Sequence, residues 1–184
     1  EGQLEQSLEV FTSARQVLQL LVEEFGEDEQ ALFELSQVEY WIGQVHLDLG
    51  RIEQADISFR AYADISQTLH EKAPDNADWT MEAAYAQSNL GNLESRRVPS
   101  DPQAVLQNFR SALKLNEEAA RLDSKFEREL AESHAYLADA WLGVCDLDQA
   151  MEQRLRNVEL AAWYFEKNPA SNQMKQDYAY ALSG

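Results

Sequence analysis

The sequence contains little glycine, proline or cysteine and little positive charge. Its 184 residues include seven glycines, four prolines and one cysteine, Cys145. A single cysteine excludes an internal disulfide, and the three scattered histidines show no spacing typical of a zinc site. Only 15 Lys and Arg stand against 33 Asp and Glu, which gives a formal charge of −18. Because such a surface repels phosphates, we expect no nucleic-acid partner and no direct membrane contact, and we favour a protein or peptide partner, either one with a basic surface or a neutral peptide.

The sequence also lacks the motifs of common enzymes and targeting signals. There is no glycine-rich phosphate loop, nucleophile elbow or zinc-protease helix motif, so we expect no catalytic residue, no cofactor and no metal. Neither a signal peptide nor an apolar run of about 18 residues is visible. The cytoplasm is therefore favoured. The compartment stays open because the chain begins with Glu1 rather than Met, and we expect it to be a fragment whose flanking segments are missing.

Between the few chain breaks, the pattern is helical. Apolar residues recur at steps of three or four, as at Ile52, Ala55 and Phe59, which is typical of one face of a helix. Asp101 followed by Pro102 indicates a helix start, since proline at the first helical position loses no hydrogen bond. We predict eight helices, at 4–24, 29–48, 52–72, 77–90, 102–122, 126–143, 147–167 and 171–183, with a long loop at 94–101.

The chain also repeats itself at an offset of 95 residues. Segment 71–74, Glu-Lys-Ala-Pro, aligns with segment 166–169, Glu-Lys-Asn-Pro. The register continues without a gap, so that 82–88 aligns with 177–183. This offset covers two helical hairpins, and the repeating unit is therefore a helix pair of roughly 42 to 50 residues.

These helix pairs resemble tetratricopeptide repeats. The small residue of the first helix in that family is matched by Gly43, and the Ala-x₃-Phe of the second helix by Ala55 and Phe59. Some positions depart from the pattern. Tyr62 replaces a small residue, Pro74 comes seven positions late, and Arg154 stands where Phe is expected in the third hairpin. A HEAT-like or irregular solenoid is the alternative fold.

The resemblance implies an all-α, right-handed α-solenoid of antiparallel helix hairpins along the whole chain. Each hairpin in such an array buries its apolar face only against its neighbours, and the first helices line a concave groove. The expected units are 1–26 as the second helix of a preceding repeat, 27–75 as a repeat, 76–124 as a repeat with the long loop 94–101, 125–169 as a repeat, and 170–184 as the first helix of a truncated repeat. We expect either more repeats or a tail beyond Gly184.

The resemblance also implies which residues line the groove. They are Gln37, Tyr40, Gln44 and Asp48 in the first complete hairpin, Asp78, Met81, Tyr85, Ser88 and Asn89 in the second, Glu132, Ala135 and Asp139 in the third, and Tyr180 in the partial fourth. None of them is basic, which disfavours capture of a C-terminal carboxylate. Carboxylates mixed with tyrosines favour a basic partner segment. Chance acidity of the face, and simple packing of Tyr40 and Tyr85, are the alternatives.

We therefore interpret the chain as a non-catalytic protein–protein interaction module that binds a peptide or a partner domain in an acidic, tyrosine-containing groove. We expect it to be the regulatory part of a larger protein, such as a bacterial signalling protein, and another domain of the same polypeptide is a candidate partner. The alternative is a structural scaffold that spaces or dimerises attached domains, for which a homodimer is expected. The convex face and the basic pair Arg96-Arg97 are the other candidate binding surfaces.

Overall fold

A computed structural model describes residues 2–26 and 28–183, and no strand occurs among them. The helices are α1 (Gly2–Phe25), α2 (Glu29–Asp48), α3 (Ile52–Lys72), α4 (Ala77–Ser95), α5 (Pro102–Leu122), α6 (Glu129–Gly143), α7 (Leu147–Lys167) and α8 (Asn172–Ser183), with a 3₁₀ turn at Ser124–Phe126. The predicted all-α fold class and the predicted number of helices are confirmed.

Two boundaries differ from the sequence prediction by three residues or more. Helix α4 continues to Ser95, so the loop predicted at 94–101 spans only 96–101. The additional turn is stable because Leu93, 1% exposed, anchors it in the core. Helix α6 begins at Glu129 rather than three residues earlier, because the 3₁₀ turn occupies the preceding stretch of chain.

The helices stack in chain order, each packing mainly against the helix before it and the helix after it. Helices α2 and α3 form the first hairpin, α4 and α5 the second, and α6 and α7 the third. We call the surface formed by α2, α4, α6 and α8 the groove surface, and α3, α5 and α7 form the opposite side. Packing that is mainly between chain neighbours is typical of a solenoid, as the repeat pattern predicts.

A glycine allows the two helices of the first hairpin to approach closely. A Cβ atom at Gly43 would lie 2.7 Å from the ring of Phe59, which is fully buried. The second hairpin uses the same pair of residue types, since a Cβ atom at Gly91 would lie 3.0 Å from the ring of Phe109. In both hairpins the phenyl ring therefore occupies the space that a larger residue on the first helix would need.

The third hairpin fills the corresponding place with other residues. Ala138 and Arg154 stand 95 residues after Gly43 and Phe59. The guanidinium of Arg154 pairs with Asp139, with 2.6 Å between Nη2 and Oδ1, and no phenyl ring enters the contact. As a result, helix α7 buries only small or polar side chains, namely Ala150, Asn157 and Ala161.

The turns of the first and third hairpins share one backbone conformation. Gly50 has φ +72° and Cys145, 95 residues later, has φ +60°. In both turns the next N–H donates to the carbonyl five residues back, at 2.8 Å from Arg51 and at 3.1 Å from Asp146. This left-handed helix ending favours glycine, so Cys145 adopts a conformation that is strained for a residue with a Cβ atom.

Candidate binding surface

Polar side chains connect the first helices of neighbouring hairpins across the groove surface. Gln37 Nε2 on α2 donates to Glu82 Oε2 on α4 at 2.9 Å. Arg128, directly before α6, has Nε 3.4 Å from Asp177 Oδ2 on α8. Because the members of each pair are two helices apart along the chain, these contacts place the first helices side by side on one surface.

One cavity of about 300 Å³ opens between α2 and α4, and we call it the first cavity. Its floor is Tyr62, which is 2% exposed and whose hydroxyl donates to Glu82 Oε2 at 2.7 Å. The ring of Tyr40 packs beside it, with 5.7 Å between the ring centroids. The Glu82 carboxylate thus accepts from the Tyr62 hydroxyl and the Gln37 amide, and two phenol rings fill much of the space.

Burial shifts the titration of the groups in the first cavity. It raises the pKa of Glu82 above its ordinary value, although the hydrogen bonds from Tyr62 and Gln37 lower it in part. Burial together with the Glu82 charge raises the pKa of Tyr62 far above its ordinary value. Burial and the nearby carboxylates raise the pKa of Tyr85 to about 12. Both tyrosines therefore remain neutral hydrogen-bond donors at physiological pH.

A second cavity of about 500 Å³ lies between α6, α7 and α8. Glu129, Glu132 and Asp177 border it, with Arg128 as the one cation among its lining residues. Burial raises the pKa of Glu129; Arg128 opposes this shift, and the charges of Glu132 and Asp177 add to it. The second cavity is therefore larger and more acidic than the first, whose wall contains one carboxylate.

The structure brings more than half of the predicted groove residues into these two cavities. Gln37, Tyr40, Tyr85 and Asn89 line the first cavity, and Glu132, Ala135 and Tyr180 line the second. Ser88 is half-buried on α4 and lines neither cavity. Met81 is 2% exposed and lies beneath the surface, so it supports the groove surface from the core and offers a partner almost no area.

The remaining candidates are polar residues already engaged within the chain. Gln44 Nε2 donates to Asp48 Oδ1 at 3.0 Å, one turn further along α2. Asp78, at the start of α4, accepts from Lys125 Nζ at 2.7 Å. Asp139 pairs with Arg154 as described above. The acidity of the groove surface is thus partly neutralised, and the cations responsible were not among the predicted groove residues.

Sequence reasoning did not assign several residues that define the cavities. Glu82 and Asp177 are the carboxylates shared between helices, and Tyr62 and Asn157 form the floors beneath them. The 95-residue offset aligns Glu82 with Asp177 and Tyr62 with Asn157. The departure of Tyr62 from the family's small residue was the visible signal that this position has a special role.

The basic loop docks on the body of the same chain. Arg97 Nη2 lies 3.0 Å from Asp56 Oδ1, and its guanidinium also pairs with Glu94. Arg96 ends α4 and is exposed. Of the two arginines, Arg97 thus interacts with the acidic surface of the array.

A larger cavity of about 710 Å³ opens on the opposite side, between α5 and α7. His134 and Trp163 line this cavity. His134 Nδ1 lies 2.8 Å from Gln153 Oε1. The ammonium of Lys167 lies 3.4 Å from the centre of the Trp163 ring. Within residues 2–26 and 28–183, no group of three His, Cys, Asp or Glu side chains is arranged to bind a metal ion. None of the described helices combines the length and apolar character that crossing a membrane requires.

Comparisons with known proteins place the fold. No family model and no curated protein matches the sequence. Among solved structures, BtubC (BKLC) from P. vanneervenii is similar with a TM-score of 0.69 and 16% identity, covering 89% of this chain and 58% of that chain. The tetratricopeptide protein TTC0263 from Thermus thermophilus aligns over 98% of this chain and 97% of its own, with a TM-score of 0.43 and 17% identity.

The present chain thus spans little more than half of the BtubC chain. At this level of identity, the likeness concerns the fold alone. Together with the stacked hairpins, it confirms the predicted architecture: the chain is an all-helical repeat array, consistent with a tetratricopeptide-like domain.

Proposed function

We propose that the chain is a non-catalytic module that binds a peptide or a partner domain along the groove surface and that it serves as the regulatory part of a larger protein. Helical repeat arrays typically mediate protein–protein interaction, because stacking produces an extended surface that suits a long partner segment. The observation that carries this proposal is the alternation of carboxylates and tyrosines along α2, α4, α6 and α8, with two cavities set into it.

The chemistry of this surface favours a basic partner segment. The chain has a formal charge of −18, so a cationic segment is attracted over a distance before contact. Glu129 and Glu132 border the second cavity, and the negative charge of a carboxylate attracts a basic segment. Tyr85 and Tyr180, 39% and 69% exposed, offer contact area at a small cost in side-chain entropy.

Fluorescence anisotropy with two labelled peptides of about ten residues tests the proposal. One peptide carries arginines and lysines among serine and leucine, and the other carries glutamates at the same places. We expect the basic peptide to bind, with an affinity that falls as salt is added, and the acidic peptide not to bind.

Charge reversal localises the binding. We expect the double variant Asp48→Lys, Glu132→Lys to weaken binding of the basic peptide about tenfold or more at low salt. The matched control is Glu53→Lys, Asp64→Lys, which makes the same charge change at exposed positions of α3, on the opposite side. Equal weakening by both double variants would show attraction by net charge alone, and failure of both peptides to bind would remove the proposed function.

A structural scaffold is the second candidate, and exposed apolar side chains on α1 and α7 favour it. Val10 and Val17 on α1 are 66% and 59% exposed, and Leu147, Met151 and Leu155 on α7 are 68%, 61% and 55% exposed. The last three are spaced by four residues and so form one stripe. If the module is a scaffold, sedimentation velocity will show a dimer that Met151→Gln, Leu155→Gln dissociates; a monomer at all concentrations favours the peptide-binding function.

A further inference from the structure

The two cavities of the groove surface occupy equivalent positions in the repeat. At the 95-residue offset, the carboxylate Glu82 of the first cavity corresponds to Asp177 of the second. The outer tyrosine is kept as well, since Tyr85 corresponds to Tyr180. The carboxylate and the outer tyrosine therefore recur in both cavities. The two cavities differ in the residues that lie inside them.

The difference is the loss of two phenol rings. Tyr40 and Tyr62, which fill the first cavity, are replaced by Ala135 and Asn157 in the second. The cavity volume rises accordingly, from about 300 to about 500 Å³. The second cavity is therefore an emptied version of the first, with room for a planar group of about the size of a side chain.

One buried polar atom in the second cavity lacks a hydrogen-bond donor. The Tyr62 hydroxyl donates to Glu82, but the corresponding residue Asn157 donates from Nδ2 to the Ala131 carbonyl at 2.7 Å instead. Asn157 is 4% exposed, and its Oδ1 accepts no hydrogen bond from any described residue. A buried carbonyl oxygen without a donor is costly, and a guest with N–H groups removes this cost.

The charge of the second cavity selects the guest further. Glu129, Glu132 and Asp177 face one cation, Arg128, whose Nε lies 3.4 Å from Asp177 Oδ2. Asp177 also accepts from Gln173 Nε2 at 2.7 Å. The carboxyl groups therefore outnumber the cation by three to one, and the guest must be a cation that donates hydrogen bonds in several directions.

We propose that the second cavity binds an arginine side chain of a partner peptide; this inference rests on the proposed function of the groove surface. A guanidinium is planar like the phenol rings that are absent, and its five N–H donors match an amide oxygen and several carboxylates. Tyr164 and Tyr180 line the cavity and supply aromatic rings against which the guanidinium packs. A lysine ammonium is a point charge and leaves the planar space unfilled.

Peptides that differ at one position test the selectivity. Four labelled peptides of about ten residues carry arginine, lysine, citrulline or tyrosine at the centre of one basic background, and their binding is measured by fluorescence anisotropy. We expect the arginine peptide to bind at least about fivefold more tightly than the lysine peptide and about tenfold more tightly than the citrulline peptide, which keeps the shape but lacks the charge. Equal affinities, or a preference for tyrosine or lysine, overturn the proposal.

Two variants locate the arginine site. Ala135→Tyr, Asn157→Tyr restores the ring pair of the first cavity and is expected to abolish the preference for arginine. Asp177→Asn removes charge without adding bulk and is expected to reduce the preference at least about threefold. The matched control Asp64→Asn, on the exposed side of α3, is expected to leave it unchanged. If the ring pair unfolds the chain, as circular dichroism will reveal, Asp177→Asn decides alone.

The remaining outcomes show whether the bound group belongs to a peptide or to a small molecule. They also show whether the cavity proposal alone fails or the proposed function fails with it. Agmatine, a small guanidine, is added as a competitor; if it binds as tightly as the arginine peptide, the guest is a small molecule and the peptide proposal is wrong. If basic peptides bind the groove surface without preference for arginine, the cavity proposal fails and the proposed function stands. If no basic peptide binds the wild-type chain, both fail.

Discussion

The first and third hairpins are equivalent in the repeat, and yet they are filled in different ways. The second helix of the first hairpin buries large side chains, with Phe59, Tyr62 and Leu69 each at most 2% exposed. At two of the corresponding positions, the third hairpin has Arg154, which is paired at the surface, and Asn157 beneath the second cavity. The backbone path is thus kept despite a large loss of buried side-chain volume, and we expect the first hairpin to contribute more to stability than the third.

The largest expected difference in the free energy of unfolding is between substitutions at Phe59 and at the equivalent residue, Arg154. Phe59→Ala removes a fully buried ring and is expected to lower the free energy of unfolding by about 3 to 5 kcal/mol. Arg154→Ala removes one ion pair at the surface and is expected to cost less than about 1 kcal/mol. Urea unfolding followed by circular dichroism measures both. Similar losses for the two variants would mean that the hairpins contribute equally to stability.

Adding one methyl group sharpens the same comparison. The Cβ atom of Gly43→Ala would lie 2.7 Å from the buried Phe59 ring, so we expect a loss of about 1 to 3 kcal/mol in the free energy of unfolding. Gly91→Ala, at 3.0 Å from Phe109, is the milder case and is expected to lose less. Stabilisation by Gly43→Ala, from better helix propensity alone, would contradict a tight contact at this position.

Substitutions in the turns of the first and third hairpins are expected to change the free energy of unfolding in opposite directions. Cys145→Gly relieves a left-handed residue and is expected to raise the free energy of unfolding by up to about 1 kcal/mol, whereas Gly50→Ala is expected to lower it by about 1 kcal/mol. Thermal unfolding checks both. Cys145→Ser keeps the Cβ atom and is the control, with little change expected. Equal melting temperatures for Cys145→Gly and the wild-type chain would show that the third hairpin accommodates this conformation without strain.

The buried carboxyls give the smallest expected effect, a dependence of stability on pH. Burial raises the pKa values of Glu82 and Glu129 above the ordinary value of 4.5, so between that value and the raised ones the folded chain binds more protons than the unfolded chain. Stability is therefore expected to fall as the pH rises through this range. Glu82→Gln is expected to flatten the dependence in urea unfolding at about pH 5 to about pH 7.5, and Glu53→Gln, at an exposed site, is its control. A dependence that Glu82→Gln leaves unchanged would assign it to other groups.

The sequence alone was enough to predict the helices and their pairing. Apolar spacing and a few breaks located them, because burial of one helix face leaves a periodic trace, and the 95-residue offset indicated the hairpin unit. The last turn of α4 was missed because its anchor, Leu93, is recognisable only once the helix is known to continue into the core.

The cavities were only partly predictable. The family pattern assigned Tyr85 and Tyr180 to equivalent positions, and each lines one of the two cavities, because that position depends on the repeat alone. The pairing of Asp78 with Lys125 connects residues of different repeats, and no local pattern encodes such a contact. The emptied second cavity depends on a difference between aligned positions, which is informative only once both places are seen to have the same geometry.

Helix α8 forms one wall of the second cavity and rests mainly on α7. Detachment of this twelve-residue segment exposes the cavity without disturbing the helices far from it, because stacked arrays open locally. Amide protons of α8 are thus expected to exchange sooner than those of α2 or α4. A ligand that bridges Glu132 and Asp177 would hold α8 against the rest of the array. Binding in the second cavity is therefore expected to slow amide hydrogen exchange in this helix alone.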